Sequence, residues 1–191
     1  MSLTTSSSRL RRLRLLFLLA GLWLCIFQGA AALATVPEVS ESQVKAAFLF
    51  NFAKFVEWPP SAFAASPGTI TLGILEREPL APALEALAGK EVQGRRLVVK
   101  RCRHPQELKT CQIFYASAAE KAALAATMAA LKGLPVLTVT DDVDDFASLG
   151  GMINLIRQED KIRFYIDVTN AQRSGLKISS QLLKLAIRGG S

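Results

Sequence analysis

The sequence contains few of the residues from which most catalytic and metal sites are built. It has one histidine and three cysteines among its 191 residues. The P-loop, the G-x-G-x-x-G fingerprint and the G-x-S-x-G elbow are all absent. A zinc site would have to combine Cys102, His104, Cys111 and a fourth ligand, and oxidised cysteines would supply no thiolates to it. We therefore predict no enzyme, no cofactor and no metal, and we interpret His104 as an exposed loop residue.

The sequence also has no long apolar run after its first 34 residues. Four arginines between positions 9 and 14 precede an apolar run over residues 15–27, and residues 32–34 read Ala-Leu-Ala. This order is typical of a cleaved secretory signal peptide. An uncleaved anchor is the alternative, although the strongly apolar part is shorter than the ~20 residues of a spanning helix. We predict a signal peptide over residues 1–34 and one periplasmic domain over residues 35–191.

The part of the chain after the predicted leader also carries little net positive charge. The chain carries 23 basic and 16 acidic side chains, and four of the basic ones lie in the predicted leader, which has no acid. The remainder is close to neutral, so the basic character that nucleic-acid binding requires is missing. We predict no nucleic-acid partner.

Two cysteines, Cys102 and Cys111, lie outside the predicted leader. In an oxidising compartment an even pair is more often a disulfide than a metal site. Closing a loop of this length would stabilise the fold by about 2.7 kcal/mol in the chain-entropy model. The alternative is a redox-responsive pair that changes a partner-binding surface, which would require an exposed and strained bond.

Strand-like and helix-like patterns alternate after Pro67-Gly68. This alternation predicts a single layered α/β domain with a mostly parallel sheet and helices on both faces. The tight turn at residues 158–160 predicts that the last two strands form an antiparallel hairpin. The predicted strands are 69–75, 96–100, 113–116, 135–140, 152–157 and 161–167, and the predicted helices are 79–88, 118–131, 146–149, 168–174 and 179–188.

A helix is predicted from Ser40, which fits a capping box with Gln43, to about Glu57. The segment Trp58-Pro59-Pro60 ends it, because a proline disfavours the helical conformation of the residue before it. The apolar face is unusually broad and includes Phe48 and Phe52. Either the helix is buried on two sides within the domain, or part of this face docks a partner or a second copy.

Two polar segments were considered as binding sites. The acidic run at residues 141–145 lacks the spacing and the glycine of a calcium loop, and carboxylates at a helix start are the simpler interpretation. Alternation along the last strand places Arg163, Tyr165 and Asp167 on one face, here called the outer row. The outer row either binds a polar ligand or a partner strand, or is a solvated face on which Asp167 caps the next helix.

Three segments together resemble the YfiR family of periplasmic proteins. They are residues 45–59 (KAAFLFNFAKFVEWP), residues 136–151 with Val-Leu-Thr-Val, Phe-Ala and Gly-Gly, and residues 162–186 with IRFYID and GLKISSQLLKLA. The resemblance runs in order and at sensible spacings along essentially the whole mature chain. Each segment alone is a weak signal, whereas the set is specific.

The resemblance implies a regulator rather than a catalyst. Proteins similar to YfiR repress a YfiN-type membrane diguanylate cyclase by binding its periplasmic sensing domain, which keeps cyclic-di-GMP and biofilm formation low. An OmpA-like outer-membrane lipoprotein can sequester the repressor. The resemblance also implies a homodimer, an α/β fold and a disulfide. As partner- or ligand-binding residues we predict Phe48, Phe52, Trp58, Arg163, Tyr165 and Asp167.

The chain departs from the family pattern at two places. Family members often have glutamate and asparagine where this chain has Tyr165 and Asp167, so the lipoprotein contact or a ligand preference can differ. A second disulfide near the double glycine is not carried over, because residues 150–154 contain no cysteine. Related domains also occur as sensor modules of membrane histidine kinases. A periplasmic small-molecule-binding sensor is therefore the alternative function.

Overall fold

The computed structural model describes residues 40–187, and the predicted signal peptide lies outside this range. Its centre is a seven-stranded sheet in the order β3-β4-β2-β5-β6-β7-β8. The inner pairs are parallel, whereas β3 and β8 pair antiparallel with their neighbours at the two edges. This architecture confirms the predicted α/β fold class. The strands are β1 Val56–Glu57, β2 Thr69–Leu75, β3 Glu91–Val92, β4 Arg95–Cys102, β5 Ile113–Ser117, β6 Leu137–Asp141, β7 Ile153–Gln158, β8 Lys161–Ile166 and β9 Lys177–Ile178.

Five α-helices and three 3-10 turns are assigned in the described range. The α-helices are α1 Glu41–Phe55, α2 Ala81–Glu85, α3 Lys121–Leu131, α4 Val168–Arg173 and α5 Ser180–Leu185, and the 3-10 turns are Pro60–Phe63, Pro105–Thr110 and Ala118–Glu120. The predicted capping box starts α1, since the Ser40 side chain accepts from the Gln43 N–H and the Gln43 side chain accepts from the Ser40 N–H. The polypeptide leaves α1 directly into β1, before the two prolines.

One face of the sheet packs against α1 and carries the larger hydrophobic core, here called the α1-face cluster. Alternate strand residues point to this side, because successive side chains of a strand point to opposite faces. Phe52 of α1 and Phe164 of β8 lie at its centre, with their ring centroids 5.1 Å apart in an edge-on arrangement. The cluster includes Leu49, Phe52, Ile70, Leu72, Ile74, Ile113, Leu137, Val139, Ile153, Leu155 and Phe164.

The opposite face carries a smaller core, here called the cysteine-face cluster. It is covered by α3 and by the 3-10 turn Pro105–Thr110. Gly73 of β2 lies beneath this turn, and a side chain there would come within 2.8 Å of Cys111 Sγ. The cluster consists of Leu75, Cys102, Leu108, Cys111, Phe114, Ala116, Leu124, Met128, Leu131 and Val136. Helical cover on both faces agrees with the predicted layers.

A second, two-stranded sheet lies apart from the main one. β1 follows α1 and pairs antiparallel with β9, with Val56 opposite Ile178. The Gln93 amide supports this junction by donating to the carbonyl oxygens of Ala53 and Val56, each at 2.8 Å. The pairing joins the end of α1 to the segment before α5.

Two expectations for the acidic segment are wrong. Residues 146–149 form turns rather than a helix, and Leu149 N–H donates to Asp145 C=O at 3.3 Å. Asp141 is not at a helix start either, since it is the last residue of β6 and is buried. Its carboxylate is held instead by side chains from α1 and β5, contacts over sequence distances that no local pattern reveals.

None of the helices within residues 40–187 combines the length and the apolar character that a membrane crossing requires.

Candidate functional site: a polar cleft at the carboxyl ends of the strands

The order of the parallel strands creates a cleft at one end of the sheet. After β2 the chain crosses to one side to form β4, and then to the other side to form β5 and β6. The connections after β2 and β5 therefore diverge. In open α/β sheets, ligands bind in the crevice outside the carboxyl ends of the strands at such a reversal. The residues that follow β2, β5 and β6 are therefore the candidates for a binding site.

A cleft of about 310 Å³ lies at this position. The first two turns of α1 form one wall, and the loops that follow β2, β5 and β6 form the others. It is here called the switch-point cleft. Its lining residues are Glu41, Ser42, Lys45, Glu78, Pro79, Leu80, Tyr115, Ser117, Ala118, Ala119, Asp141 and Asp142.

Asp141 is the centre of a charged network in the cleft. Its Oδ2 accepts from Lys45 Nζ at 2.7 Å and from the Tyr115 hydroxyl at 2.8 Å. Lys45 Nζ also lies 2.6 Å from Glu41 Oε1, one helical turn earlier. Glu41 in turn contacts Arg157 on β7 at 3.1 Å. The network thus ties the start of α1 to three strands of the sheet.

The protonation states in this network follow from burial and from the neighbouring charges. Burial opposes the charge of Lys45, but hydrogen bonds to Asp141 and Glu41 outweigh it and raise the pKa of Lys45. The hydrogen bond from Lys45 lowers the pKa of Glu41. Burial, with the adjacent Asp141 carboxylate, raises the pKa of Tyr115 far above its ordinary value. At neutral pH Lys45 is therefore a charged ammonium, Glu41 is ionised, and Tyr115 is a neutral phenol that donates its proton to a hydrogen bond.

Glu78 supplies a second buried carboxylate on the other wall. It is 3% exposed and follows β2 in the loop before α2. Its Oε2 accepts from the Ser117 N–H at 3.0 Å and from the Ser117 hydroxyl at 3.1 Å, while Oε1 accepts from the Leu80 N–H at 3.1 Å. These three donors fix the carboxyl group in place.

The switch-point cleft presents charged and hydrogen-bonding side chains to its interior. Within the described side chains, no group of three or more His, Cys, Asp or Glu residues is placed to hold a metal ion. His104 is exposed, in agreement with its interpretation as a loop residue. The oriented carboxylates, the ammonium and the phenol are instead suited to recognising a polar ligand.

The outer row lies on the face of the β7–β8 hairpin opposite to Phe164. Arg163 is exposed and Tyr165 is half-buried, and they pair in register with Ile156 and Asn154 of β7. Asp167 caps α4, since its Oδ1 accepts from the Asn170 N–H at 2.7 Å. Asp167 thus has the capping role that was one of the two alternatives for the outer row. Whether the outer row binds anything stays a prediction.

Tyr165 also borders a second cavity, of about 300 Å³, between the hairpin and the acidic loop. Asn154 closes its floor, with Oδ1 accepting from the Thr140 hydroxyl at 2.8 Å and Nδ2 donating to Val143 C=O at 3.0 Å. The cavity is lined by residues 142–148 together with Asn154, Ile156 and Tyr165. It is here called the Tyr165 cavity.

The predicted aromatic site residues lie mostly inside the domain. Phe52 is completely buried, and Trp58 is buried with its indole N–H donating to Gln112 C=O at 3.0 Å. Phe48 is half-buried, 5.6 Å from the Phe164 ring. The broad apolar face of α1 is thus largely covered within the domain. Partner binding by these residues stays a prediction, and for Phe52 and Trp58 it would act through the position of α1.

Cys102 and Cys111 are neighbours in the cysteine-face cluster, and no bond joins their sulfurs in the structure. Burial raises the pKa of Cys102. Burial, together with the nearby Cys102, raises the pKa of Cys111 to about 12. The disulfide stays a prediction.

Sequence analysis missed Lys45, Glu78 and Tyr115 of the switch-point cleft, and it set Asp141 aside as a helix-start carboxylate. One signal was available, because Glu78 and Asp141 come at or just after the ends of two buried strands. The carboxyl ends of parallel strands lie at one end of a sheet, so the two carboxylates are expected at the same end. Lys45 and Tyr115 carried no such signal, because they are embedded in apolar stretches.

Comparisons with known proteins assign the chain to a family. No curated protein matches it at a significant level. Among solved structures it is similar to a conserved domain protein of Vibrio cholerae O1 biovar El Tor, at 13% identity and a TM-score of 0.50, and the match covers 77% of this chain and 59% of that one. At this identity the likeness shows the fold alone. The YfiR/HmsC-like family matches residues 42–187, nearly the whole described range. The chain therefore belongs to the YfiR/HmsC-like family of periplasmic regulators of cyclic-di-GMP signalling.

Proposed function

We propose that this protein is a negative regulator that binds the periplasmic sensing domain of a membrane diguanylate cyclase. Bound to that domain, it lowers cyclic-di-GMP output and biofilm formation, and an OmpA-like outer-membrane lipoprotein releases the cyclase by capturing the regulator. It acts as a homodimer. The observation that carries the proposal is the family match over residues 42–187. The regulatory, non-catalytic character of the family is consistent with it.

The energetics of such control are modest. A ligand shifts a two-state protein only by its difference in affinity for the two states. Reversing a 99:1 equilibrium requires about 5.5 kcal/mol of such preference. An ordinary protein interface, which buries about 800 Å² on each partner, is large enough to supply it.

The open face of the β7–β8 hairpin is the surface that we assign to the partner. Arg163 is exposed there, with Ile156 and Tyr165 half-buried beside it. An arginine, an aromatic ring and an aliphatic side chain form the kind of mixed patch that protein interfaces prefer. β8 is also an edge strand of the main sheet.

The first experiment is capture of the partner from detergent-solubilised host membranes with the tagged protein, read by mass spectrometry. Specific enrichment of a membrane protein with a diguanylate cyclase domain is the expected result. Enrichment of a membrane histidine kinase alone would replace the cyclase as the target. No membrane protein captured under either oxidising or reducing conditions would contradict the proposal.

The surface assignment is tested in cells by reversing one charge. Arg163→Glu should raise cyclic-di-GMP to the level of a deletion strain, because it reverses the charge in the middle of the contact surface. Arg96→Glu is the matched control, since Arg96 is an exposed arginine on β4, at the other side of the sheet. Equal cyclic-di-GMP levels in the two variant strains, at equal protein abundance, would contradict the assignment. Light scattering of the purified protein gives its molar mass and so tests whether it is a dimer.

The alternative function is a periplasmic small-molecule-binding sensor, in one form a module for a membrane histidine kinase. The observation in its favour is the Tyr165 cavity, which one residue of the outer row, Tyr165, borders. A metabolite that raises the melting temperature of the protein, but not of the Tyr165→Ala variant, would support this function. A broad metabolite panel without effect would count against it.

A further inference from the structure

The switch-point cleft is independent of the surface assigned to the partner. It lies at the carboxyl ends of β2, β5 and β6, whereas the outer row is on the hairpin at the edge of the sheet. Its volume of about 310 Å³ is at the lower end of the range of small-molecule sites. This position and size are those of a ligand site in a doubly wound sheet.

The charges of the lining residues favour a positively charged ligand. Four carboxylates line the cleft, from Glu41, Glu78, Asp141 and Asp142, against the single ammonium of Lys45 among the described side chains. Lys45 is already engaged by Asp141 at 2.7 Å and by Glu41 at 2.6 Å. Arg157 also pairs with Glu41, so the negative charge in excess is available to a cation mainly through Glu78, Asp141 and Asp142.

Both buried carboxylates have capacity left for such a cation. Glu78, 3% exposed, has no basic side chain within ion-pair distance among the described residues, although buried charges are normally paired. Asp141 is 6% exposed and uses Oδ2 for both of its hydrogen bonds. Its Oδ1 has no donor among the described residues. Every fully buried side-chain polar atom in the described range has a hydrogen-bond partner, so Oδ1 must be accessible to solvent.

The rest of the lining is mostly apolar. Pro79, Leu80, Ala118 and Ala119 contribute apolar surface, and Tyr115 adds its ring. Such walls suit a short aliphatic body rather than a sugar or a nucleotide, which would bring many hydroxyl or phosphate groups against them. A chain of a few methylene groups between polar ends matches both the walls and the carboxylates.

We propose that the switch-point cleft binds a small aliphatic amine, with an ammonium group held by the carboxylates of Glu78 and Asp141. This ligand would bridge the loop after β2 to the start of α1, which shares the cleft through Glu41 and Lys45. The inference does not rest on the proposed function, because binding is measured with the isolated protein.

Isothermal titration of the purified protein with 1,4-diaminobutane tests the proposal. Saturable binding at one site per chain is expected, and 1,4-butanediol, which has the same length but no charge, should not bind. Magnesium chloride is titrated in parallel. Equal binding of the diol, binding of magnesium but not of the diamine, or no saturable binding of the diamine to folded protein would each overturn the proposal.

Two carboxamide variants locate the site. Asp142→Asn should weaken diamine binding about threefold, the scale of one exposed charge pair. The fold should survive, because Asp142 is exposed and asparagine tolerates its φ of 54°. Asp145→Asn is the matched control, since Asp145 is also exposed, has a φ of 51° and lies outside the cleft.

Asp141→Asn should weaken binding about tenfold, because it removes a charge-assisted contact. If this variant does not fold, the comparison of Asp142→Asn with Asp145→Asn decides alone. Equal diamine affinity in those two variants would overturn the assignment of the site.

Discussion

The two faces of the main sheet are stabilised by different means. The α1-face cluster is built from large side chains, with Phe48, Phe52 and Phe164 packed ring against ring at 5.1–6.0 Å. The cysteine-face cluster is smaller, and a 3-10 turn lies over Gly73 with no room for a side chain between them. The first face depends on the amount of apolar area buried, whereas the second depends on close fit and on the chemistry of two thiols.

This difference bears on which face can respond to its surroundings. The α1-face cluster contains no cysteine, so solution conditions act on it mainly through the general strength of hydrophobic burial. A cluster that contains Cys102 and Cys111 can change covalently in an oxidising compartment. The α1-face cluster therefore sets the stability of the domain, and the cysteine-face cluster is where that stability can be adjusted.

The largest effect is expected from removing the central ring of the α1-face cluster. Phe52→Ala should lower the free energy of unfolding by about 3–5 kcal/mol, because it leaves a cavity at a completely buried position. For a domain of this size the melting temperature should fall by about 10 °C. Phe50→Ala is the control, since Phe50 is only half-buried and should cost less than half as much. Equal losses would show that burial does not set the energetics of this face.

The next effect concerns the cysteine pair and is measured by comparing oxidised with reduced protein. If the disulfide forms, oxidation should raise the free energy of unfolding by about 2–3 kcal/mol, and Cys111→Ser should abolish this difference. Thiol alkylation is a second measurement. With its pKa near 12, Cys111 in the reduced, folded protein should react slowly at neutral pH. Identical melting of oxidised and reduced wild type would mean that the bridge is absent or without effect.

A smaller effect is expected from a single methyl group on the cysteine face. Gly73→Ala places a Cβ 2.5 Å from Leu108 Cδ2 and 2.8 Å from Cys111 Sγ, so the turn must move. We expect the free energy of unfolding, measured in urea, to fall by about 1–3 kcal/mol. Gly68→Ala is the matched control, because no atom lies within 4 Å of its added Cβ, and it should be neutral or slightly stabilising. An unchanged midpoint for Gly73→Ala would show that close fit is not what holds this face.

Sequence patterns predicted the elements that have a clear local period. The strand at residues 69–75 has the same bounds in the structure, and the capping box starts α1 where predicted. The hairpin of β7 and β8 also forms. The two-residue strands β1, β3 and β9 were missed, because two residues are too few to show alternation and their pairing partners are distant or follow a tight turn.

The candidate site was much less predictable than the fold. Lys45 and Asp141 are 96 residues apart, and their ion pair depends on how α1 packs across the sheet. The run of aspartates hid this contact, because Asp141 differs from its neighbours only in being the last residue of a buried strand. The resemblance to a family supplied the class of function, but it did not indicate the switch-point cleft.

The small β1–β9 sheet has a consequence for the order of events during folding. The strand that follows α1 finds its partner only about 120 residues later in the chain, and the Ser179 N–H then donates to Phe55 C=O at 2.9 Å. Contacts between distant segments form late, because the loop between them must first be closed. A chain that emerges from its N-terminus onward cannot complete this small sheet until Lys177 and Ile178 have emerged. The end of α1 is thus fixed by this pairing only after the whole seven-stranded sheet has become available to fold.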